Sequence, residues 1–554
     1  MNSNYYEIKN NIALKQFIID FEKSIKNHKV FTAIKLDDKK KIIGVITRGD
    51  LRRLIYKKDG FNDRIDKYLN LNPVVVKNTE LNNNLNSLLS HKTKGKIIDD
   101  IIVVNEKKKF LEIIKYEHIK DNFKYKNTCV IGMGHIGLPL SIFVLKKFKN
   151  IIGYDNNNNK IKNIKKVKLD FYEKNLNKLL KNHLKTKRLK LTNNFKNINS
   201  EIYIICIGSI ISGNKVSNNN LKKLAQDLSG IIKKNDLIIL RGTVSIGVSR
   251  QIFLRTLLKF SKLKNGKDFY FAFMPERLVE GDALEELEKI PQLVSGSTDE
   301  CLKVAYDYSN EIFENVIKLK SLEEGEIIKL ASNSFRALNF AFSNEISRIS
   351  SLHDLSGSEL IKKANFGYER NTISKPSLGI GGFCLPKDPL LFSDNLKKNS
   401  NYKLGKISSK INKDITGVFT KKFVNILKNK QNPKILLMGI AFKGLPETLD
   451  IRNSTSLEII KSLTAKKYRC HAYDPLGKIL KKQIKIKNLK ILNENFNVNK
   501  YDFIIIVNDH PKFINIIENK LKENRSGGKK YIFDTWNNIN KSFIKNLNWE
   551  YLNI

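Results

Sequence analysis

An α/β protein, with two doubly wound parallel sheets joined by helices and a small α+β module in front, is the fold this 554-residue sequence predicts. Three observations carry that expectation. The length exceeds what one hydrophobic core supports. Short apolar strands alternate with amphipathic helical stretches over residues 123–317 and again over 416–554. Between them, Glu323 to Leu352 keeps apolar residues at helical spacing with no internal Pro.

Residues 1–122 form the small module. The strand Lys41 to Ile46 is followed by Thr47-Arg48-Gly49-Asp50-Leu51-Arg52-Arg53. A weaker copy follows, with Ile101 to Val104, a turn at Asn105 to Lys108, and Phe110 to Ile114. Two such units resemble a CBS pair, which implies a regulatory module for an adenine nucleotide, with Thr47 and Asp50 reaching ribose and phosphate. The alternative is a degenerate module that only stiffens an oligomer.

Residues 123–317 read as a dinucleotide-binding domain. The strand Thr128 to Ile131 runs into Gly132-Met133-Gly134-His135-Ile136-Gly137. The first glycine permits the tight turn, the second admits a pyrophosphate to the backbone, and the third lets helix pack on strand. Amides at the helix start then face the phosphates. The next strand ends in Asp155, about twenty residues on, where a carboxylate accepts from the adenosine ribose and repels a 2′-phosphate. NAD is therefore expected rather than NADP, bound by the Gly132–Gly137 loop with Asp155 and the nearby Lys160. Ser209 and Thr243 follow later strands, at the edge where open α/β sheets bind ligands.

Residues 318–415 are expected to be mainly helical, and 416–554 to return to strand–helix alternation. Three patches look chemical. Pro275-Glu276-Arg277 leads to Glu280-Gly281, with carboxylates four apart. Lys329 and Asn333 share a helix face by i, i+4 spacing. Gly379 to Pro389 delivers Cys384 from a glycine loop to a helix start, with Pro386 suited to the first turn. A helix N-terminus and a neighbouring lysine are expected to lower the Cys384 pKa.

Bulk properties set limits. No apolar run approaches the ~20 residues that span a bilayer, and the N-terminus lacks a signal-peptide pattern, so a cytoplasmic protein is expected. The net charge of +45 is mostly Lys spread among Asn and Ile, as in compositional drift, so no specific nucleic-acid partner is expected. Five scattered cysteines and eight histidines show neither disulfide nor metal-ligand spacing.

Over roughly residues 125–545 the chain resembles the UDP-glucose/GDP-mannose dehydrogenase family. The matching motifs are Gly132 to Gly137, Pro275-Glu276 through Glu280-Gly281, Lys329 to Asn333, Gly381-Gly382-Phe383-Cys384 through Lys387-Asp388, and Gly439 to Lys443 with Asp450-Ile451-Arg452. The resemblance implies two Rossmann-like domains joined by a helical dimerisation segment, hence a homodimer or higher oligomer. It implies NAD, a UDP-sugar substrate and a four-electron oxidation through a thioester, supplying surface polysaccharide precursors. By position it assigns Cys384, Lys329, Asn333, Asp388 and Glu276 to catalysis. Glu280, Lys387 and Arg452 fall to the cofactor, and Arg277, Arg370, Gly381, Phe442 and Lys443 to the substrate, beside Glu276, Lys329 and Asn333. Arg277, Glu280 to Leu287, and Arg370 point to the UDP-N-acetylhexosamine branch, with UDP-glucose the alternative substrate and a non-catalytic nucleotide-sugar or adenine-nucleotide sensor the alternative from another class. Two positions depart from the family: Gly208-Ser209-Ile210 replaces Pro-Thr-Pro, and Trp536 replaces the arginine of a C-terminal Asp-Thr-Arg-Asn.

Overall fold

The computed structural model describes residues 5–9, 12–28, 32–47, 50–51, 63–80, 100–115, 127–212, 215–396, 403–525 and 528–554. The chain divides into two compact units, Met1–Lys124 and Tyr125–Ile554.

The first unit repeats one small motif. Strand β1 (Tyr6–Glu7), helix α1 (Leu14–His28), β2 (Thr32–Leu36) and β3 (Ile42–Thr47) come first, then β4 (Val75–Lys77), β5 (Asp100–Val104) and β6 (Phe110–Lys115). β1 pairs parallel with β2 and β2 antiparallel with β3; β4, β5 and β6 pair in the same sense. The two hairpin turns match as well. Asp37 Oδ1 accepts from Lys39 N and Lys41 N, with Lys40 at φ 61°; Asn105 Oδ1 accepts from Lys107 N and Lys109 N, with Lys108 at φ 58°. Short Asx side chains favour such turns by mimicking the backbone. Ile34, Val45, Ile102, Phe110 and Ile113 form a core shared by both hairpins. Of the expected signature after β3, Arg48, Gly49, Arg52 and Arg53 lie outside the described residues.

The second unit opens with a sheet built from β7 (Thr128–Ile131), followed by helix α2 (Gly137–Val144), then β8 (Ile151–Tyr154), β9 (Leu189–Thr192) and β10 (Ile202–Ile205). A small hairpin, β11 (Ile210–Ser212) and β12 (Lys215–Ser217), precedes β13 (Leu237–Leu240), β14 (Tyr270–Phe273), β15 (Gln292–Gly296) and β16 (Val316–Lys318). The sheet order is β16-β15-β14-β13-β10-β7-β8-β9, parallel except where β14 meets β15. Strand order reverses between β7 and β10, and such a switch point opens a crevice at the strand C-termini. Continuous apolar strands such as Leu237-Ile238-Ile239-Leu240 are buried on both faces, as a parallel sheet demands.

The helices that follow include α3 (Leu322–Ser351), α4 (Cys384–Ser393) and α5 (Leu404–Leu427), with a shorter helix, Gly357–Asn365, between the first two. Ser321 caps α3 by accepting from Glu324 N. The boundary expected at residue 415 falls inside α5, whose buried face continues through Phe419 and Phe423 to Leu427.

The last sheet, β17 (Ile435–Met438), β18 (Cys470–Tyr473), β19 (Leu489–Ile491), β20 (Phe503–Ile506), β21 (Tyr531–Asp534) and β22 (Glu550–Asn553), is wholly parallel, in the order β19-β18-β17-β20-β21-β22. Its first turn copies that of the earlier sheet. Gly132 and Gly439 take φ 96° and 103°, and their N–H groups donate to Tyr154 O and Tyr473 O, each at 2.8 Å. Asp155 Oδ2 then accepts from Met133 N, as Asp474 Oδ2 accepts from Ile440 N. No helix among the described residues is long and apolar enough to cross a membrane.

Candidate active site

The glycine loop after β7 is shaped by close approaches. A Cβ at Gly137 would sit 1.9 Å from Gly132 O, so α2 can start there only from glycine. A Cβ at Gly134 would meet nothing within 4 Å, which leaves open space where the loop faces the crevice. Ile136 leads directly into α2. Asp155 is buried; Oδ2 accepts from Met133 N at 3.0 Å and lies 3.6 Å from Lys160 Nζ, and Oδ1 accepts from Asn157 N. Open backbone, a helix start and a strand-end carboxylate fit a dinucleotide such as NAD. Ser209 and Thr243 meet beyond the C-terminal ends of β10 and β13, where Ser209 N donates to Thr243 O at 2.9 Å. The Ser209 hydroxyl turns inward to donate to Asn218 Oδ1 at 2.6 Å.

The candidate reactive residues arrive from three elements. Helix α3 presents Lys329 and Asn333 inward one turn apart, α4 presents Cys384 and Asp388 one turn apart, and Glu276 follows β14. Lys329 Nζ lies 3.8 Å from Glu276 Oε2, with the two side chains only 6% and 5% exposed. Asn333 Nδ2 donates to Asp388 Oδ2 at 2.6 Å, and Lys387 Nζ lies 2.9 Å from Asp388 Oδ1. Glu276 Oε1 also accepts from Leu278 N. Burial alone would discharge such groups, and mutual pairing holds them in place. Burial pulls the Lys329 pKa down, but Glu276, Cys384 and Asp388 outweigh it, so the ammonium is held above its usual range.

The thiol departs from expectation. Cys384 is reached by solvent at the mouth of the cluster, yet the surrounding atoms strip most of its hydration. Loss of hydration, then the Asp388 carboxylate, push its pKa up to about 11, against the lowering from Lys329 and Lys387. The expected lowering considered the lysine and the helix start but not the carboxylates folded against the sulfur.

The last domain closes the site. Gly382, at φ 82°, lies so near Phe442 that a Cβ would meet the ring at 2.8 Å; a Cβ at Gly381 would fall 2.7 Å from Phe442 Cβ. Gly382 N donates to Arg452 O, and Asn453 Nδ2 donates to Gly382 O, each at 2.8 Å. Arg452 is clamped by Asp450, with Nε–Oδ1 at 2.8 Å and Nη2–Oδ2 at 2.6 Å, and its guanidinium lies 4.7 Å from the Phe383 ring. Glu280 Oε1 lies 3.2 Å from His135 Nδ1 and accepts from Thr448 Oγ1, while Lys443 Nζ donates to Glu280 O. Burial raises the Glu280 pKa, but His135, Thr448 and Arg452 more than reverse it, leaving the carboxyl below its usual range.

Other expected residues stand apart. Arg277 donates to Pro291 O, and burial lowers its pKa. Arg370 is exposed and packs over Tyr368 at 4.6 Å, with no described contact to the cysteine cluster of its own chain. Trp536 directs its indole N–H to Val507 O at 3.0 Å, which fixes the ring at the C-terminal edge of β20.

Several residues were not foreseen. Arg241, 1% exposed, spends one donor on Gln292 Oε1 and packs over Phe313. Glu326, fully buried one turn before Lys329, accepts from Gly247 N, Ser249 N and Ser249 Oγ, and so ties the loop after Thr243 to α3. Asp474 was discoverable, since Tyr-Asp ends both β8 and β18 after matching glycine turns. Thr448 carried no local signal.

The chain matches the UDP-glucose/GDP-mannose dehydrogenase family in three parts: the NAD binding domain over residues 126–317, the central domain over 323–414 and the UDP binding domain over 436–541. A UDP-N-acetyl-D-mannosamine dehydrogenase from Pyrococcus horikoshii is 28% identical over 390 residues, covering 69% of this chain and 89% of that protein. One of the same name from Campylobacter jejuni is 28% identical over 410 residues, covering 72% and 98%. The solved structure of UDP-D-ManNAc dehydrogenase from Pyrococcus horikoshii covers 77% of this chain and 99% of its own, with a TM-score of 0.66 and 26% identity.

Proposed function

Because the chain belongs to the UDP-glucose/GDP-mannose dehydrogenase family, we propose that it oxidises the 6-hydroxymethyl group of a UDP-N-acetylhexosamine to the carboxylate. The convergence of Cys384, Lys329, Asn333, Asp388 and Glu276 beside an NAD-binding loop carries this reading. The relatives named for UDP-N-acetyl-D-mannosamine favour that substrate class.

NAD, when bound, accepts a hydride in each of two oxidation steps. Between them Cys384 Sγ bonds to the aldehyde carbon as the C=O π bond opens, and the thiol proton passes to the former carbonyl oxygen, giving a thiohemiacetal. Lys329 and Asn333 face that oxygen. The second oxidation leaves a thioester on Cys384. Glu276 takes a proton from the attacking water, which breaks the C–S bond, releases the uronate and restores the thiol. Phe442 and Lys443 hold the sugar nucleotide, and Arg452 and Glu280 border the cofactor. The product suits surface polysaccharide assembly.

Two further proposals concern the whole chain. An exposed stripe on α3, Phe335, Phe342 and Ile349, supports pairing with a second copy. In the first unit, Asp50 Oδ2 accepts from Thr47 N at 2.9 Å and from Thr47 Oγ1 at 2.7 Å, a preset corner for an adenine nucleotide.

The test is NADH formed per sugar consumed with NAD and a panel of UDP-sugars, without and with AMP, ADP or ATP. Two NADH per UDP-N-acetylhexosamine are expected. One NADH per sugar would overturn the thioester route, preference for UDP-glucose would replace the substrate, and indifference to every adenine nucleotide in rate and in calorimetry would remove the regulatory ligand.

A further inference from the structure

The corner at Glu280 and Gly281 belongs to the cofactor domain but is seated on the sugar-nucleotide domain. Glu173 fixes it from its own side, with Oε2 accepting from Gly281 N at 3.0 Å and Oε1 from Leu284 N at 3.1 Å. On the other side Gly281, at φ 103°, approaches so closely that a Cβ would fall 2.7 Å from Pro446 Cβ and 2.8 Å from Glu447 O. The carbonyl of Glu280 accepts from Lys443 Nζ. Its carboxylate touches His135 of the glycine loop at 3.2 Å and accepts from Thr448 Oγ1.

Thr448 is 1% exposed, and its hydroxyl has a fixed direction. Oγ1 donates its proton to Glu280 and accepts from Asp450 N at 3.0 Å, while Asp450 clamps Arg452. One hydroxyl therefore joins the carboxylate beside the cofactor loop to the loop that carries Lys443 and Arg452. A hydroxyl with a single proton cannot satisfy a carboxylate in two places, so moving either loop displaces the other.

We propose that Thr448 is a positioning residue through which the sugar-nucleotide domain sets Glu280 against the cofactor loop, so that binding of NAD and binding of the UDP moiety reinforce one another. The inference rests on the reading that NAD occupies the Gly132–Gly137 loop. Coupling of this kind is reciprocal: each ligand tightens the other by the same factor.

The experiment is calorimetric titration of the full chain with NAD, in the absence and presence of saturating UDP, for wild type, Thr448→Val and Thr448→Ser. Wild type is expected to bind NAD about fivefold or more tightly with UDP present, the lower end of common coupling factors. Thr448→Val keeps the shape, loses the proton and should lose that gain. In turnover its KM for NAD should rise with kcat little changed. Thr448→Ser keeps the hydroxyl and should retain the coupling. Wild-type coupling in the Val variant overturns the proposal, as does equal loss in Val and Ser, which would mark packing rather than the hydrogen bond. Failure of wild type to bind NAD at all would overturn the underlying cofactor reading as well, a result distinct from either.

Discussion

At the sulfur of Cys384 two charges of opposite sign compete. Asp388 follows it by four residues on α4 and raises the cost of a thiolate, while Lys329 across the cleft lowers it. With its pKa pushed up to about 11, the neutral thiol dominates over the thiolate at neutral pH. Alkylation by iodoacetamide should therefore accelerate about tenfold per pH unit from neutrality and level off only towards pH 11. Lys329→Met should move that plateau higher, because its charge opposes the shift. A plateau below pH 9 in the unliganded protein would refute this electrostatic account. The cysteine itself was legible, since a glycine loop ending at a helix start marks a presented thiol. Its acidity was only partly so: Asp388 stands at i+4 in the sequence, but Glu276 is brought in from a different element by folding.

Elements were readable to the degree that their signals are local. Helix α3 follows from unbroken apolar periodicity and its Ser321 cap, and the strands from short runs such as Leu237 to Leu240. The central-domain match ends at residue 414, close to the expected 415, but α5 runs on across that point without a breaker. The open Gly417 tolerates helix, and Phe419, Phe423 and Leu427 extend the buried face. In the cysteine loop the backbone, not the side chains, sets the constraint. Gly382→Ala places a Cβ at φ 82° against the Phe442 ring, and should cost about 1–3 kcal/mol of stability as strain and overpacking combine. Urea melting measures that loss, and NADH formation should fall further as Cys384 shifts. Unchanged stability together with unchanged turnover would mean the loop relaxes freely.

For the whole molecule, the pattern of two doubly wound sheets was visible as alternation, but the way they share a site was not. Thr448, Asp450 and Glu280 lie in two different domains and meet only after folding. The exposed residues Phe335, Phe342 and Ile349 recur every seven positions along α3, at 61%, 54% and 56% exposure, an apolar seam that costs solubility if left bare. Phe342→Glu should convert an oligomer to monomers by light scattering, with urea stability of the single chain little changed. An unaltered mass would place the subunit contact elsewhere.

The cysteine loop is held by Arg452 O, by the Asn453 side chain and by the face of Phe442, all of which leave the ribosome after it. Domains tend to fold in the order they are made. A nascent chain can thus possess a finished cofactor domain while Cys384 still hangs unplaced. An interrupted translation product that ends before Phe442 should therefore leave Cys384 unplaced even where the first sheet of the second unit is complete.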